Sequence, residues 1–270
     1  MIVPSIKSKI YTFVKAAYAA RGYYSTRLFG RRMRLDPARM EFWRATRRGF
    51  WEPETIALLT RVLRPHDVYL DAGAWIGPTV LCAAPRCTTV YCIEPDRYAY
   101  ESLLMNIRLN GLNNVVPFHL ALSDRDGMAR MASTGTLGDT MTSLLARQEG
   151  KQVLTVPCLS WSSFLDCFHP EVITVMKIDI EGAEFMLLPA MREYLSRNKP
   201  VLYLSTHAPF FRMDERRKKL QTLADILSLY DGCLTSDMKH ASPDALFSED
   251  VMDGYPALLF YDTATRPDLP

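Results

Sequence analysis

An α/β fold built on a doubly wound, mainly parallel sheet of seven strands is predicted for this 270-residue chain, and three observations predict it. Short runs rich in Val and Ile alternate with helical patterns from residue 67 onward. The apolar strand Val68-Tyr69-Leu70-Asp71 runs into Ala72-Gly73-Ala74-Trp75-Ile76-Gly77, whose glycines allow φ > 0 where a strand swings into a helix. A second acid, Glu94, ends the next strand, Val90-Tyr91-Cys92-Ile93, twenty-three positions after Asp71.

Ile2, Val3, Ile6, Ile10, Phe13, Val14, Ala17 and Tyr18 recur at helical spacing and predict an amphipathic first helix. Pro37 separates it from a second helical stretch, 38–48. Glu52-Pro53-Glu54-Thr55 opens a third, with proline in the first turn and acids at the N-terminus, and Arg64-Pro65-His66-Asp67 breaks it. Strands are then expected at 68–71, 89–93, 115–119, 172–178, 201–205, 232–235 and 257–261. Helices are expected at 78–84, 96–110, 183–196 and 215–229. The stretch 124–170 is too long for a simple crossover. Asp124-Arg125-Asp126-Gly127 reads as a turn, and 128–132 and 152–157 as extra strands around a loop holding Gly135 and Gly138.

Composition narrows the class. With 48% apolar and 23% charged residues the chain has the make-up of a globular protein. It has no apolar run long enough to span a bilayer and nothing that reads as a signal peptide. Cys82, Cys87, Cys92, Cys158, Cys167 and Cys233 form no CxxC pair or zinc-type spacing and fall mostly within apolar patterns, so reduced core cysteines and a cytoplasmic location are expected. The net charge of +2 hides an asymmetry: residues 1–50 hold twelve basic and two acidic residues, against twenty and twenty-eight in the rest. That basic, aromatic segment either contacts something anionic, such as a membrane surface or a phosphorylated sugar carrier, or docks on the acidic body of the same chain. Nucleic acid is the least expected partner.

The turn with its following acid is the arrangement that presents backbone and a ribose-binding carboxylate to an adenosine-containing cofactor. The spacing departs from the Gly-x-Gly-x-x-Gly of nicotinamide and flavin enzymes. Asp71 would repel a pyrophosphate but suits the cationic amino group of a methionine moiety, which points to S-adenosylmethionine.

The string Asp71-Ala72-Gly73-Ala74-Trp75-Ile76-Gly77, then Ile93-Glu94-Pro95, Asn106 through Asn110, Ala121-Leu122-Ser123-Asp124 and Met176-Lys177-Ile178-Asp179-Ile180-Glu181-Gly182-Ala183-Glu184 together resemble the FkbM-type methyltransferases, within the class I, Rossmann-like, S-adenosylmethionine-dependent enzymes. The resemblance covers roughly residues 50–210. It implies a methyltransferase domain at 51–270 behind a basic helical extension at 1–50, and O-methylation of a hydroxyl on a sugar, glycan or secondary metabolite. It also implies roles: Asp71, Gly73 and Gly77 at the methionine end of the cofactor, Glu94 on the ribose hydroxyls, Ser123 and Asp124 beside the adenine, and Asp179 in the crevice. Trp75 stands where many relatives have Asn, and either packs on the cofactor or under the turn.

An alcohol acceptor must lose a proton, and a positioned base aids that. Asp179, Glu181, Glu184 and His207 are the candidates, His207 for its near-neutral pKa. Asp179, Glu181 and His207 could also gather a divalent ion, but nothing in their spacing demands one and no metal is assigned. His66, His119, His169 and His240 have no evident partner in the sequence. Two rival readings stay open: a nicotinamide-dependent oxidoreductase, disfavoured by Asp71 and the missing third glycine, and a cofactor-binding module without turnover.

Overall fold

The computed structural model describes residues 6–133, 142–143, 153–266 and 268–269; Gly135, Gly138, Gln152 and the first turn expected for the N-terminal helix lie outside them. Helix α1 (Ile6–Arg21) is followed by a feature that the sequence analysis assigns no element, an antiparallel hairpin of β1 (Tyr24–Leu28) and β2 (Arg31–Leu35). Its two-residue turn, Phe29-Gly30, has positive φ at both positions, the conformation that matches strand twist in a tight hairpin. The extension is therefore helix, hairpin and α2 (Met40–Arg47) rather than helical throughout. One hairpin face buries Tyr24, Leu28, Met33 and Leu35. The other exposes Arg27, Arg32 and Arg34, with Arg31 beside the turn, and none of the four makes an ion pair among the described residues.

Beyond α3 (Pro53–Val62) the expected alternation appears: β3 (Val68–Ala72), α4 (Pro78–Ala83), β4 (Thr89–Ile93), α5 (Arg97–Leu109) and β5 (Val115–Phe118). The chain then leaves the main sheet. Strands β6 (Ala121–Ser123), β7 (Gly127–Ser133), β8 (Thr142–Ser143) and β9 (Val153–Ser160) make a second sheet in the order β6-β9-β7-β8, so the two extra strands expected here are present. Helix α6 (Trp161–Phe168) leads back to β10 (Val175–Ile178), α7 (Glu184–Asn198), β11 (Val201–Ser205), α8 (Met213–Leu227), β12 (Gly232–Thr235), α9 (Glu249–Asp253) and β13 (Ala257–Tyr261).

The main sheet has seven strands in the order β12-β13-β11-β10-β3-β4-β5, with β13 antiparallel to both neighbours. Side chains alternate between two cores. Leu70 and Ala72 join the layer that holds α7 and α8, whereas Tyr69 faces the layer of α3, α4 and α5. Strand order reverses between β3 and β10, so the loops leaving their carboxyl ends diverge and open a crevice, the usual place for a ligand in such sheets. Pro117, which cannot donate to a ladder, is tolerated because β5 is an edge strand.

The N-terminal extension is tied to this crevice. Leu35, Met40 and Trp43 pack with Ile76, Leu81 and Ala99. Asn106, fully buried on α5, accepts from the Asp36 N–H at 2.7 Å and donates to the Ile76 carbonyl at 2.9 Å. One turn on, Asn110 accepts from the Arg34 N–H at 3.0 Å and donates to its carbonyl. Asn106→Ala would leave two buried backbone groups without partners and should cost about 2–4 kcal/mol of unfolding free energy. A loss within the error of denaturant titration would show that this clamp does not hold the extension.

Candidate active site

At the carboxyl edge of the sheet lies a cavity of about 450 Å³, lined by Gly73 and Trp75 after β3, Glu94 after β4, Asp179 and Glu181 after β10 and His207 after β11. Four loops from four parallel strands thus converge on one space, of the size that takes a small organic ligand.

The turn after β3 is shaped by close backbone approach. A Cβ on Gly73 would stand 1.8 Å from the Asp179 carbonyl oxygen, so only glycine lets the tips of β3 and β10 meet. Trp75 is held at φ 49. Its N–H donates to Glu94 Oε2 at 2.8 Å, and its ring packs edge-on against Phe42, 4.5 Å between centroids. The indole therefore lines the cavity and rests on the extension at once. Glu94 Oε1 accepts from the Asp96 N–H at 2.7 Å. Two backbone donors fix the carboxylate, while each oxygen keeps a further lone pair for a ligand. Burial nevertheless pushes Glu94 up to about 8, above what those two N–H groups can offset.

Asp71, expected at the methionine end of a cofactor, does not line the cavity. It is fully buried, accepts from Thr79 Oγ1 and lies 3.7 Å from the Lys177 ammonium. The cause is register: Lys177 pairs with Asp71 across the parallel strands, so the chain's own cation takes the place foreseen for the ligand's. Gly77 is also structural, since a Cβ there would meet Leu103 Cδ1 at 2.6 Å. Ser123 and Asp124 are displaced as well. The third strand of the main sheet ends at Phe118, and Ser123 instead ends a strand paired to β9. Its hydroxyl donates to Asp124, whose side chain is 46% exposed, and Ala121 and Leu122 line the cavity in their stead.

The acidic end is centred on His207. Glu184, fully buried, accepts from the His207 N–H at 2.8 Å and from Nδ1 at 3.1 Å through Oε1, and from the Gly182 N–H at 2.9 Å through Oε2. Nε2 then faces Asp179 Oδ1 at 3.5 Å and Glu181 Oε2 at 3.7 Å. Burial would lower the imidazole, but the Glu184 hydrogen bond and the charges of Glu184, Asp179 and Glu181 raise it to about 9. The near-neutral value expected of a base is thus corrected upward, because three carboxylates surround the ring. Burial lifts Glu181 to about 7 against the pull of His207. Burial would raise Asp179 too, yet Lys177 and His207 outweigh it and hold the group below its ordinary value.

Lys177 is the residue that sequence reasoning passed over. It lies in the cavity wall, 3% exposed, with its ammonium 3.0 Å from Asp179 Oδ2. Burial works against its charge, and Asp179, Asp71 and Glu52 outweigh burial and keep it above the usual lysine value. A lysine inside the otherwise apolar Val175-Met176-Lys177-Ile178 was the signal, since a buried charge demands a partner. Glu52 was missed as well. It lines the cavity at φ 35, its carboxyl raised by burial. Trp51, Tyr203 and Tyr255 also line it.

Against this geometry the family model of the Methyltransferase FkbM domain matches residues 71–231, well over half the chain. The chain belongs to the FkbM methyltransferase family. The match runs from the Gly73 turn through the His207 loop and takes in Glu94 and Lys177. Among solved structures the chain is similar to an FkbM methyltransferase from Methylobacillus flagellatus KT, at 19% identity and a TM-score of 0.46, with 76% of this chain and 50% of that one covered. It is also similar to SMU.1697c, a putative methyltransferase of Streptococcus mutans solved in complex with SAH, at 9% identity and a TM-score of 0.43, with 77% and 95% covered. An uncharacterized Methanocaldococcus jannaschii protein, MJ1452, is 37% identical over 57 residues, which is 21% of this chain and 22% of that protein. The chain thus spans half the length of the M. flagellatus structure. Among the described residues no helix is long and apolar enough to cross a membrane.

Within this FkbM site, Lys177→Met would leave Asp71 and Asp179 buried without their cation. We expect a loss of about 3–5 kcal/mol in chemical denaturation; a change below about 1 kcal/mol would remove Lys177 as the tie between the strands.

Proposed function

We propose that the chain is an S-adenosylmethionine-dependent O-methyltransferase acting on a hydroxyl of a sugar, glycan or secondary metabolite. The observation that carries the donor half is Glu94, a carboxylate fixed by two backbone N–H groups beside the glycine turn, with lone pairs left for ribose hydroxyls. The residues present fit that donor. Ile93, Pro95 and Leu122 give an apolar wall next to Glu94, and the acidic end of the cavity suits a cationic group. Backbone at Gly73, Ala74 and Trp75 would support the ligand between them. When bound, S-adenosylmethionine supplies an electrophilic methyl group.

The chain's own residues do the rest. Asp179, Glu181 and His207 stand together at one end of the cavity and would hold the acceptor hydroxyl, with Glu181, lifted to about 7, placed to receive its proton. Holding nucleophile and methyl in line supplies much of the rate in such a transfer. The four arginines exposed on the hairpin favour an acceptor carrying phosphate or another anion. Methyl release from labelled S-adenosylmethionine should then be faster with phosphorylated than with neutral sugars at low salt, and the preference should fade at high salt. Donor binding without methyl release to any hydroxyl acceptor would leave the cofactor-binding module as the better reading. The nicotinamide alternative predicts binding of NAD instead.

A pH prediction follows from Glu94. Ribose hydroxyls donate to the ionised carboxylate, whereas the ligand-free group holds its proton up to about 8. Binding must then expel a proton below that value, so affinity for S-adenosylmethionine should rise from pH 6 to 8, by up to about tenfold per unit, and level off above. Glu94→Gln should flatten this dependence, and Glu94→Ala should weaken binding at least about tenfold at pH 8. Calorimetry reads both; a wild-type affinity independent of pH would take Glu94 out of the site.

A further inference from the structure

Three side chains, His207, Asp179 and Glu181, converge at the acidic end of the cavity. His207 is 4% exposed, and Glu184 holds both its backbone N–H and its Nδ1. Nε2 is thereby the ring nitrogen turned to the carboxylates, 3.5 Å from Asp179 Oδ1 and 3.7 Å from Glu181 Oε2. Both separations exceed the 2.7–3.2 Å of an N–H···O bond. They lie close to the upper edge lengths of a coordination polyhedron: donors about 2.0–2.2 Å from one ion stand roughly 2.8–3.6 Å apart at octahedral or tetrahedral angles. One donor atom from each residue lies within 4.8 Å of the other two.

Two further observations point the same way. A carboxylate behind the second ring nitrogen, as Glu184 is here, fixes the tautomer and orientation of a ligating histidine. The backbone also places the acids on purpose. Glu181 sits at φ 52 and Gly182 at φ 96, and a Glu181 carboxylate oxygen stands within 4.8 Å of one of Asp179. The other Asp179 oxygen is held by Lys177, leaving Oδ1 on the His207 side. Glu52, Asp71, Asp179, Glu181 and Glu184 bring five carboxyl groups to this region against two basic groups, the Lys177 ammonium and the His207 imidazole. A buried excess of that sign favours a cation.

We propose that His207 Nε2, Asp179 and Glu181 form a site for one divalent metal ion, with its remaining coordination positions open to the cavity. An imidazole with two carboxylates is a mixed donor set that suits Mn²⁺, Fe²⁺ or Zn²⁺ better than an ion served by oxygen alone. The open positions would hold the acceptor's oxygen; this role rests on the function proposed above, whereas the ion's binding does not.

The test is a titration of the whole chain with MnCl₂, without donor or acceptor, followed by electron paramagnetic resonance and thermal unfolding. One Mn²⁺ per chain, a raised Tm, and spin-echo modulation from a single imidazole nitrogen are expected. The last needs no variant and so does not depend on a substitution that folds. His207→Gln and Glu181→Gln should each weaken Mn²⁺ binding at least tenfold, while Glu193→Gln, exposed on α7, should not. A folded wild-type chain that takes up neither Mn²⁺ nor Zn²⁺ at millimolar concentration overturns the site, as does equal binding by the His207 and Glu181 variants. Ion uptake by a chain that binds no S-adenosylmethionine would uphold the metal site and remove the methyl-donor reading. Donor binding without ion uptake would do the reverse.

Discussion

The buried ammonium of Lys177 lies 3.7 Å from Asp71 and 3.0 Å from Asp179, and the rest of the site is arranged around that bond. It crosses between the two strands where the sheet order reverses, so it ties together the tips whose divergence makes the cavity. With those tips joined, only a glycine fits at position 73. Asp71 reaches on to Thr79 in the helix after the turn, and Asp179 reaches on to His207 after β11. One interaction thereby sets the geometry of both ends. Its cost is the burial of three charged groups, which is sustained only while all three are present.

Much of this was legible in the residues. All seven strands of the main sheet fall on the short, mostly apolar runs expected to form strands, because strands covered on both faces need apolar side chains on each. Glu94, Asp179, Glu181 and His207 were each readable as groups ending a strand at the carboxyl edge, and the cavity gathers all four. The hairpin at Tyr24–Leu28 and Arg31–Leu35 was not read, although its apolar residues alternate. Its turn is Phe29-Gly30 rather than the Asn-Gly or Asp-Gly that usually marks one, and its arginines mask the alternation.

The expected site residues that do not line the cavity are set apart by two causes. Asp71 and Lys177 meet through the register of β3 against β10, strands far apart in sequence, and no local pattern encodes that pairing. A motif acid at the end of a strand reads alike whether it faces a ligand or a neighbouring lysine. The resemblance set Ser123 and Asp124 at the end of the third strand, but that strand ends at Phe118, where the backbone departs into the second sheet. In this member of the FkbM methyltransferase family the turn motif is therefore partly a packing device. Gly73 and Gly77 serve strand and helix contact, and Trp75 and Glu94 face the ligand space.

A crystal structure of the chain with S-adenosylhomocysteine tests this division of labour most directly. The account predicts the ribose hydroxyls on Glu94, the ligand resting on backbone at residues 73–75, and Asp71 still bound to Lys177 and Thr79 without touching the ligand. A ligand whose amino group contacts the Asp71 carboxylate, or one bound away from Glu94, would contradict it.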